Sequence, residues 1–279
     1  MLDSPALAPT RPAALREGAG DLLRHWREQR RLSQLSLALK AEVSPRHLSC
    51  LETGRAAPSR AMLMRLATVL EMPLRERNRL LVAAGFAPLY RERPLDDPSL
   101  HAARDAVQRL LAAHEPCPAL AIDRHWQLLA ANAAVAPLLQ GVAPALLAPP
   151  VNVLRLSLHP DGLAPRILNL GTWRAHLLHR LSQQIDASGD PVLIDLLQEL
   201  RSLPGPTADD DPPGHDGIAV LLRLQGPDGP LAFLSTTTVF GTPVDITLSE
   251  LALETFFPAD DATARALRHA SDRAAAVGG

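Results

Sequence analysis

Cysteine is almost absent from this sequence: two residues in 279, Cys50 and Cys117. Two thiols make neither a disulfide framework nor a zinc site, so the expectation is a reduced, cytoplasmic protein. Aromatic residues are scarce as well, at 3%. No apolar run approaches the roughly 20 residues that cross a bilayer. The longest stretch, Leu128 to Leu139, is broken by Asn132 and Pro137, and Met1–Thr10 lacks the basic start and apolar body of a secretory signal. No membrane association is expected. The chain also lacks the signatures that carry catalysis: no G-x-x-x-x-G-K-[ST], no H-E-x-x-H, no G-x-S-x-G and no C-x-x-C. His176 and His179 stand at i, i+3 but have no nearby third ligand. The Asp209–Asp211 run lacks the spacing of a calcium loop. Neither an enzymatic activity, a cofactor nor a metal is expected.

What is present is 47% apolar residues, enough for a sizeable core. At about 150 residues per domain, the length suggests two domains. Charge is uneven. Residues 1–93 carry 16 basic against 9 acidic side chains, a net +7, and residues 94–279 carry a net −9. A basic module tied to an acidic one points to nucleic-acid binding joined to another task.

Residues 15–86 read as short helices with explicit stop signals. A first helix spans about Asp21–Arg31, with Leu22, Leu23 and Trp26 inward. Ser33 caps a two-turn helix, Gln34–Lys40, because its hydroxyl accepts an orphan backbone N–H. Ser44 caps a third helix, Pro45–Thr53, whose proline sits where the missing N–H is harmless. Gly54 ends it in a left-handed conformation. Ser59 caps a fourth helix, and Pro73 separates that from a fifth, Leu74–Ala84. Two short helices joined by a tight turn form a helix-turn-helix, whose second helix enters the major groove.

The C-terminal part alternates helices and strands. Leu95–Ser99 is a turn-rich joint, Leu100–Ala113 a helix, and Ala119–Asn132 a weak hairpin. Ala133–Leu139 looks helical. Leu154–Leu158 fits either strand or helix, and Thr172–Ser182 and Pro191–Leu200 are helices. Leu203–Gly217 is a Pro/Gly/Asp loop. A clear hairpin pairs Ile218–Leu224 with Leu231–Phe240 across Gln225–Pro230. A further strand is expected at Val244–Leu248, and Ala262–Ala276 is an Ala/Arg helix or disordered.

The segment SQLSLALKAEVSPRHLSCLETGR resembles the helix-turn-helix of the phage-repressor-like (XRE) transcription regulators. That resemblance implies phosphate contacts at Gln34, Thr53 and Arg55. It implies base contacts from Pro45, Arg46, His47, Ser49 and Cys50, beside the cap Ser44, with Glu52 structural. Pro45 stands where the family often has a glutamine, which leaves Arg46 as the reader of guanine O6 and N7. The stretches AIDRHWQLLAAN, PPVNVLRLSLHPDGLAPRILN and LAFLSTTTVFGTPVDITLSELALETFFPAD resemble the MmyB-like, PAS-like ligand-binding domain of one branch of these regulators.

The resemblance implies an apolar pocket and a small apolar ligand such as a fatty acid. Trp126, Leu154, Leu156, Leu158, Trp173 and Phe233 are the expected apolar lining. Asn152, Arg155, His159 and Arg166 are the expected polar cluster, in which an arginine pairs with a carboxylate. The expected fold is multidomain: an all-α, five-helix, lambda-repressor-like domain followed by an α+β PAS-like domain. The expected boundaries are a flexible tail 1–14, a DNA-binding domain 15–90, a linker 91–100, a ligand-binding domain 101–262 and a tail 263–279. Double-stranded DNA, a second copy of the chain and the apolar ligand are the expected partners. Two rivals stand beside this reading: an enzyme with chemistry around His159, Asp161 and Arg166, and a protein-interaction or antitoxin-like adaptor.

Overall fold

The computed structural model describes residues 18–207, 219–241 and 243–278. The expected tail 1–14, residues 208–217 of the acidic loop, and Ile218 lie outside them. The chain divides into two compact units, Met1–Tyr90 and Arg91–Gly279.

The first unit is five helices: α1 (Ala19–Gln29), α2 (Gln34–Lys40), α3 (Pro45–Glu52), α4 (Arg60–Val69) and α5 (Leu74–Ala83). Ser33, Ser44 and Ser59 cap α2, α3 and α4, accepting from the N–H groups of Ser36, His47 and Met62 at 3.0, 3.1 and 3.2 Å. All five helices end in the same way. Arg31, Glu42, Gly54, Glu71 and Gly85 each take a positive φ. The N–H of the residue after each closes back five positions, as in Val43 to Ala38 at 2.9 Å and Met72 to Ala67 at 2.9 Å. In four of these turns that next residue (Leu32, Val43, Met72, Phe86) packs on the core, the contact that completes this kind of helix stop. Three of the five positions lack glycine. The burial of the following apolar residue stabilises a conformation that would otherwise cost about 1 kcal/mol or more.

Leu23, Trp26, Leu37, Leu48, Leu51, Leu63, Leu66 and Leu80 fill the centre of this unit. Gly20 lets α1 approach α3 closely: a Cβ there would lie 2.5 Å from the Leu51 carbonyl oxygen. Below that crossing, Glu52 is 6% exposed. It accepts two bonds from Arg27 of α1, Nε at 2.7 Å and Nη2 at 3.0 Å, and one from Gln34 Nε2 of α2 at 2.8 Å. Arg27 Nη1 also donates to the Leu32 carbonyl at 3.0 Å. The carboxylate thus ties α1, α2 and α3 together.

The second unit wraps helices around one antiparallel sheet. Its elements are α6 (His101–Ala113), β1 (Ala119–Ile122), β2 (Leu128–Ala131), α7 (Pro144–Leu147), α8 (Val153–Leu158), α9 (Leu170–Ser188), α10 (Pro191–Ser202), β3 (Leu221–Gly226), β4 (Gly229–Val239), α11 (Ile246–Ser249), β5 (Ala252–Pro258) and α12 (Asp261–Gly278). The strand order is β2-β1-β5-β4-β3. One face of the sheet carries Leu120, Leu222, Leu224, Phe233 and Phe256 against α8, α9 and α10. The other carries Ala119, Ala121 and Leu253 against Val107 and Leu111 of α6. Asn132 fastens the first hairpin to α6. Its Oδ1 accepts from Ala119 N at 3.1 Å, and its Nδ2 donates to the Leu111 and Cys117 carbonyls at 3.1 and 2.8 Å.

Several local expectations change. Val244–Leu248 forms no strand: Asp245 Oδ1 accepts from Thr247 N at 2.9 Å and caps the short helix α11, and the fifth strand begins at Ala252. Leu154–Leu158 is helical because Asn152 Oδ1 caps it through Leu154 N and Arg155 N, both at 3.1 Å. Ala133–Leu139 yields only a 3-10 turn, Ala136–Leu139, with Pro137 in it. The segment expected as a linker, 91–100, lies along α11: the Ile246 N–H donates to the Arg91 carbonyl at 2.8 Å. Most of the expected tail 263–279 continues α12, where Leu267 is buried and Thr263 Oγ1 accepts from Ala232 N at 2.9 Å.

Removing one partner of a buried ion pair strands the other charge, at about 3–5 kcal/mol. Glu52→Ala is therefore expected to destabilise the protein by that amount in urea unfolding followed by far-ultraviolet circular dichroism. An Arg27→Met, Glu52→Leu double variant should lose clearly less. Equal losses in both would mean that the charge is not the source.

Candidate DNA-reading face and ligand cavity

Ser44 and Pro45 open α3, and with Arg46 they are exposed; His47, Ser49 and Cys50 are half-buried along the same helix. Leu48 and Leu51 hold the opposite side in the core at 0% and 2% exposure. Thr53 and Arg55, just past the helix, are exposed. Two of these polar groups are engaged locally: Ser44 Oγ in its cap, and Thr53 Oγ1 as donor to the Ser49 carbonyl at 2.7 Å. Gln34 is turned onto Glu52. The structure therefore gathers the candidate base-reading residues on one short, rigidly footed helix, with Arg46 the exposed cation among them.

In the second unit, a cavity of about 100 Å³ lies between the sheet and α8–α9. Trp126, Leu154, Leu156, Trp173 and Phe233 line it, as expected from the sequence, whereas Leu158 is core beside it. Trp126 holds φ at +64°, a strained conformation for a bulky residue. The surrounding turn over-determines it, since Asp123 Oδ1 accepts from both His125 N and Gln127 N at 2.8 Å. The indole N–H of Trp126 donates to Gln184 Oε1 at 2.8 Å, and that of Trp173 to Ser157 Oγ at 3.0 Å.

The expected polar cluster is not part of this cavity. Asn152 is consumed as the α8 cap, and its Nδ2 donates to the His125 carbonyl at 2.9 Å. Arg155 faces α10 and makes a bidentate pair with Glu199 at 2.6 and 2.7 Å. His159 Nδ1 accepts from Asp161 N at 3.0 Å. Arg166 donates to the Leu138, Gln140 and Gln225 carbonyls. Their closeness in sequence does not gather them in space: α8 turns Arg155 to α10, and Arg166, in the separate 3-10 turn Ala164–Arg166, is spent on backbone carbonyls that include Gln225 of β3.

The charged wall of the cavity comes from residues that sequence reasoning missed, Arg180 of α9 and Glu254 of β5. Glu254 is 4% exposed. Arg180 Nη2 and Nη1 donate to its two oxygens at 2.7 and 3.3 Å, and Thr237 Oγ1 donates to it at 2.8 Å. The guanidinium stands 4.9 Å from the Trp126 ring centre, a cation–π distance. Burial, with Arg180 close by, pushes the nearby His176 below its ordinary value. A faint signal existed: Glu254 is a lone charge in the otherwise apolar and Thr-bearing ALETFFP, and Arg180 lies seven residues after Trp173 on one helix face.

Among the described residues, no group of three or more His, Cys, Asp and Glu is placed to hold a metal ion, and no helix is long and apolar enough to cross a membrane. The helical unit, with α2 and α3 joined by a tight turn, and the α+β unit, with its apolar cavity, are the two parts expected of a transcription regulator with a ligand-binding domain. The family model described as MmyB-like transcription regulator ligand binding domain matches residues 103–270, and the helix-turn-helix domain model matches residues 19–80. The chain belongs to the MmyB-like transcription regulators. No curated protein matches it. Among solved structures, an RNA-binding Light-Oxygen-Voltage receptor shares 17% identity over 95% of this chain, with a TM-score of 0.24. The chain spans 65% of that receptor's length.

The Arg155–Glu199 pair gives a checkable contrast with the cavity. The Arg155 hydrogen bond holds the Glu199 carboxyl below its ordinary value of 4.5. A depressed carboxylate stabilises the fold above that value and loses the contribution as pH falls through the lower, folded-state value. Arg155→Ala should cost less than about 1 kcal/mol at pH 7, as half-exposed pairs do. The gap to wild type should close below about pH 4.5. Ligand-induced thermal shifts should be unchanged in this variant; loss of the shift would return Arg155 to the site.

Proposed function

We propose that the chain is a cytoplasmic, sequence-specific DNA-binding regulator that acts as a homodimer and responds to a small apolar ligand held between the sheet and α9. The observation that carries the DNA-reading half is the footing of α3. A buried carboxylate at its end is bonded to α1 and α2, while Arg46 at its start stands in solvent. A helix held this way presents fixed side chains to base edges, and Arg46 reads guanine. Thr53, Arg55 and the N-terminal end of α2 at Gln34 lie at the phosphates. One such module buries modest surface, so two copies would bind half-sites about 10 bp apart or a multiple of that.

The strand order β2-β1-β5-β4-β3 with α8, α9 and α10 over the cavity face supports a PAS-like sensor. The aliphatic and tryptophan lining supports an apolar ligand, such as a fatty-acid-like chain. Ligand binding would bias the regulator only as far as it binds one state better than another.

Binding-site selection with the full chain at fixed salt should enrich a guanine-containing motif. Arg46→Ala should then weaken the selected site by about 1–3 kcal/mol while leaving random duplex nearly unchanged. Equal weakening on both would reduce Arg46 to a phosphate contact, and no enriched motif would overturn the assignment.

A further inference from the structure

A second, larger cavity of about 300 Å³ lies beside the first, between the β3–β4 turn, α12 and the 3-10 turn Ala136–Leu139. Pro137 lines only this outer cavity, Leu139 only the inner one, and Leu138 is on the wall of both. The backbone under Leu138 is pinned: Arg166 Nη1 donates to the carbonyls of Leu138 and Gln140, both at 2.8 Å. The side chain is only partly buried and has other staggered rotamers to occupy. Leu138 is the one lining residue that the two cavities share, so its rotation is the step that would join them. The joined volume is about 400 Å³, inside the roughly 300–1,000 Å³ range of ligand sites, which the inner cavity alone does not reach.

The two compartments differ in chemistry. The polar side chains of the inner wall bond one another or their neighbours: Arg180 to Glu254 and Thr237, Trp126 to Gln184, Trp173 to Ser157. A charged head group placed there would have to break those bonds, whereas a hydrocarbon tail breaks none. The outer compartment has an exposed ion pair at its rim, Arg273 to Asp228 at 2.6 Å, both more than half exposed. A polar end left there keeps its water.

We propose that Leu138 is the partition of a single two-chamber site that takes an unbranched amphiphile tail first, with the tail against Trp126 and Phe233 and the polar end outside beside Arg273. This rests on the apolar-ligand reading above and adds the ligand's length, direction and route. The inner chamber supplies about a quarter of the joined volume, so it takes only the end of such a chain. Arg166 acts here as a positioning residue, through the backbone that carries Leu138.

The test uses the full chain and straight-chain alkanoic acids of four to twelve carbons with their methyl esters, followed by tryptophan fluorescence. Wild type should gain affinity with every added methylene, by up to about fourfold each, well beyond the length the inner chamber accepts. Acid and ester of one length should agree within about fivefold, because an exposed charge is worth little. In Leu138→Trp the gain should stop at the shortest chains, and in Leu138→Ala the longest chains should bind at least as tightly as in wild type, with circular dichroism reporting that both variants fold. The same chain-length dependence in Leu138→Trp as in wild type would overturn the two-chamber site while leaving an apolar-ligand site standing. A large preference between acid and ester that vanishes in Arg180→Met would reverse the direction and overturn it too. No binding at any length would remove the apolar-chain reading along with the proposal.

Discussion

A carboxylate taken out of water must be met by donors from more than one side, and each half of this chain is arranged around one such group. Glu52 is met by Arg27 and Gln34, from two other helices. Glu254 is met by Arg180 from the opposing helix and Thr237 from the neighbouring strand. Buried ion pairs contribute little net stability, because desolvation offsets the attraction. They penalise wrong arrangements instead. A shift of α3 against α1, or of β4 against β5, would leave a charge without its donors. In the sheet this coincides with the register itself, since Thr237 stands directly opposite Glu254.

The same constraint shapes the cavity. Around Glu254 the sheet face is aliphatic and aromatic, and the pair with Arg180 lets a charge sit there without water. Trp126 adds a second fixed element. Its φ of +64° is unfavourable for a bulky side chain, yet two bonds to Asp123 and one from the indole to Gln184 hold it. Strain retained beside a cavity costs stability and gives a ring whose position is set before anything binds.

Local physics was legible in the sequence. Ser33, Ser44, Ser59, Pro45 and Gly54 mark helix ends through interactions within a few residues, and the spacing of Leu48 and Leu51 orients α3. The β3–β4 hairpin was legible for the same reason. The lining of the cavity was only half legible. Trp126, Trp173 and Phe233 are large and apolar, so burial brings them together almost regardless of topology. Arg155 and Arg166 share a short segment with Asn152, but the asparagine starts a helix that turns Arg155 to Glu199, and Arg166, past the end of that helix, is taken up by backbone carbonyls of a loop and of β3. Arg180 and Glu254 are 74 positions apart, and nothing short of the sheet order makes them neighbours. The strand expected at Val244–Leu248 failed through a single capping aspartate, Asp245, which outweighs the β-propensity of the valine and isoleucine beside it.

The central strand β5 makes the cavity more than an internal void. It pairs with β1 on one side and β4 on the other, so it cannot move without disturbing most of the sheet. Alternate residues along it face opposite layers: Glu254 and Phe256 look into the cavity, while Leu253 packs with Val107 and Leu111 of α6. One strand thus walls the cavity on one side and seats α6 on the other. Here the contacts are a charge pair on one face and a leucine cluster on the other. The segment leading into α6 is held by α11, through the Ile246 and Arg91 backbones, so the first residues of the unit are fixed to the same layer that carries the start of β5.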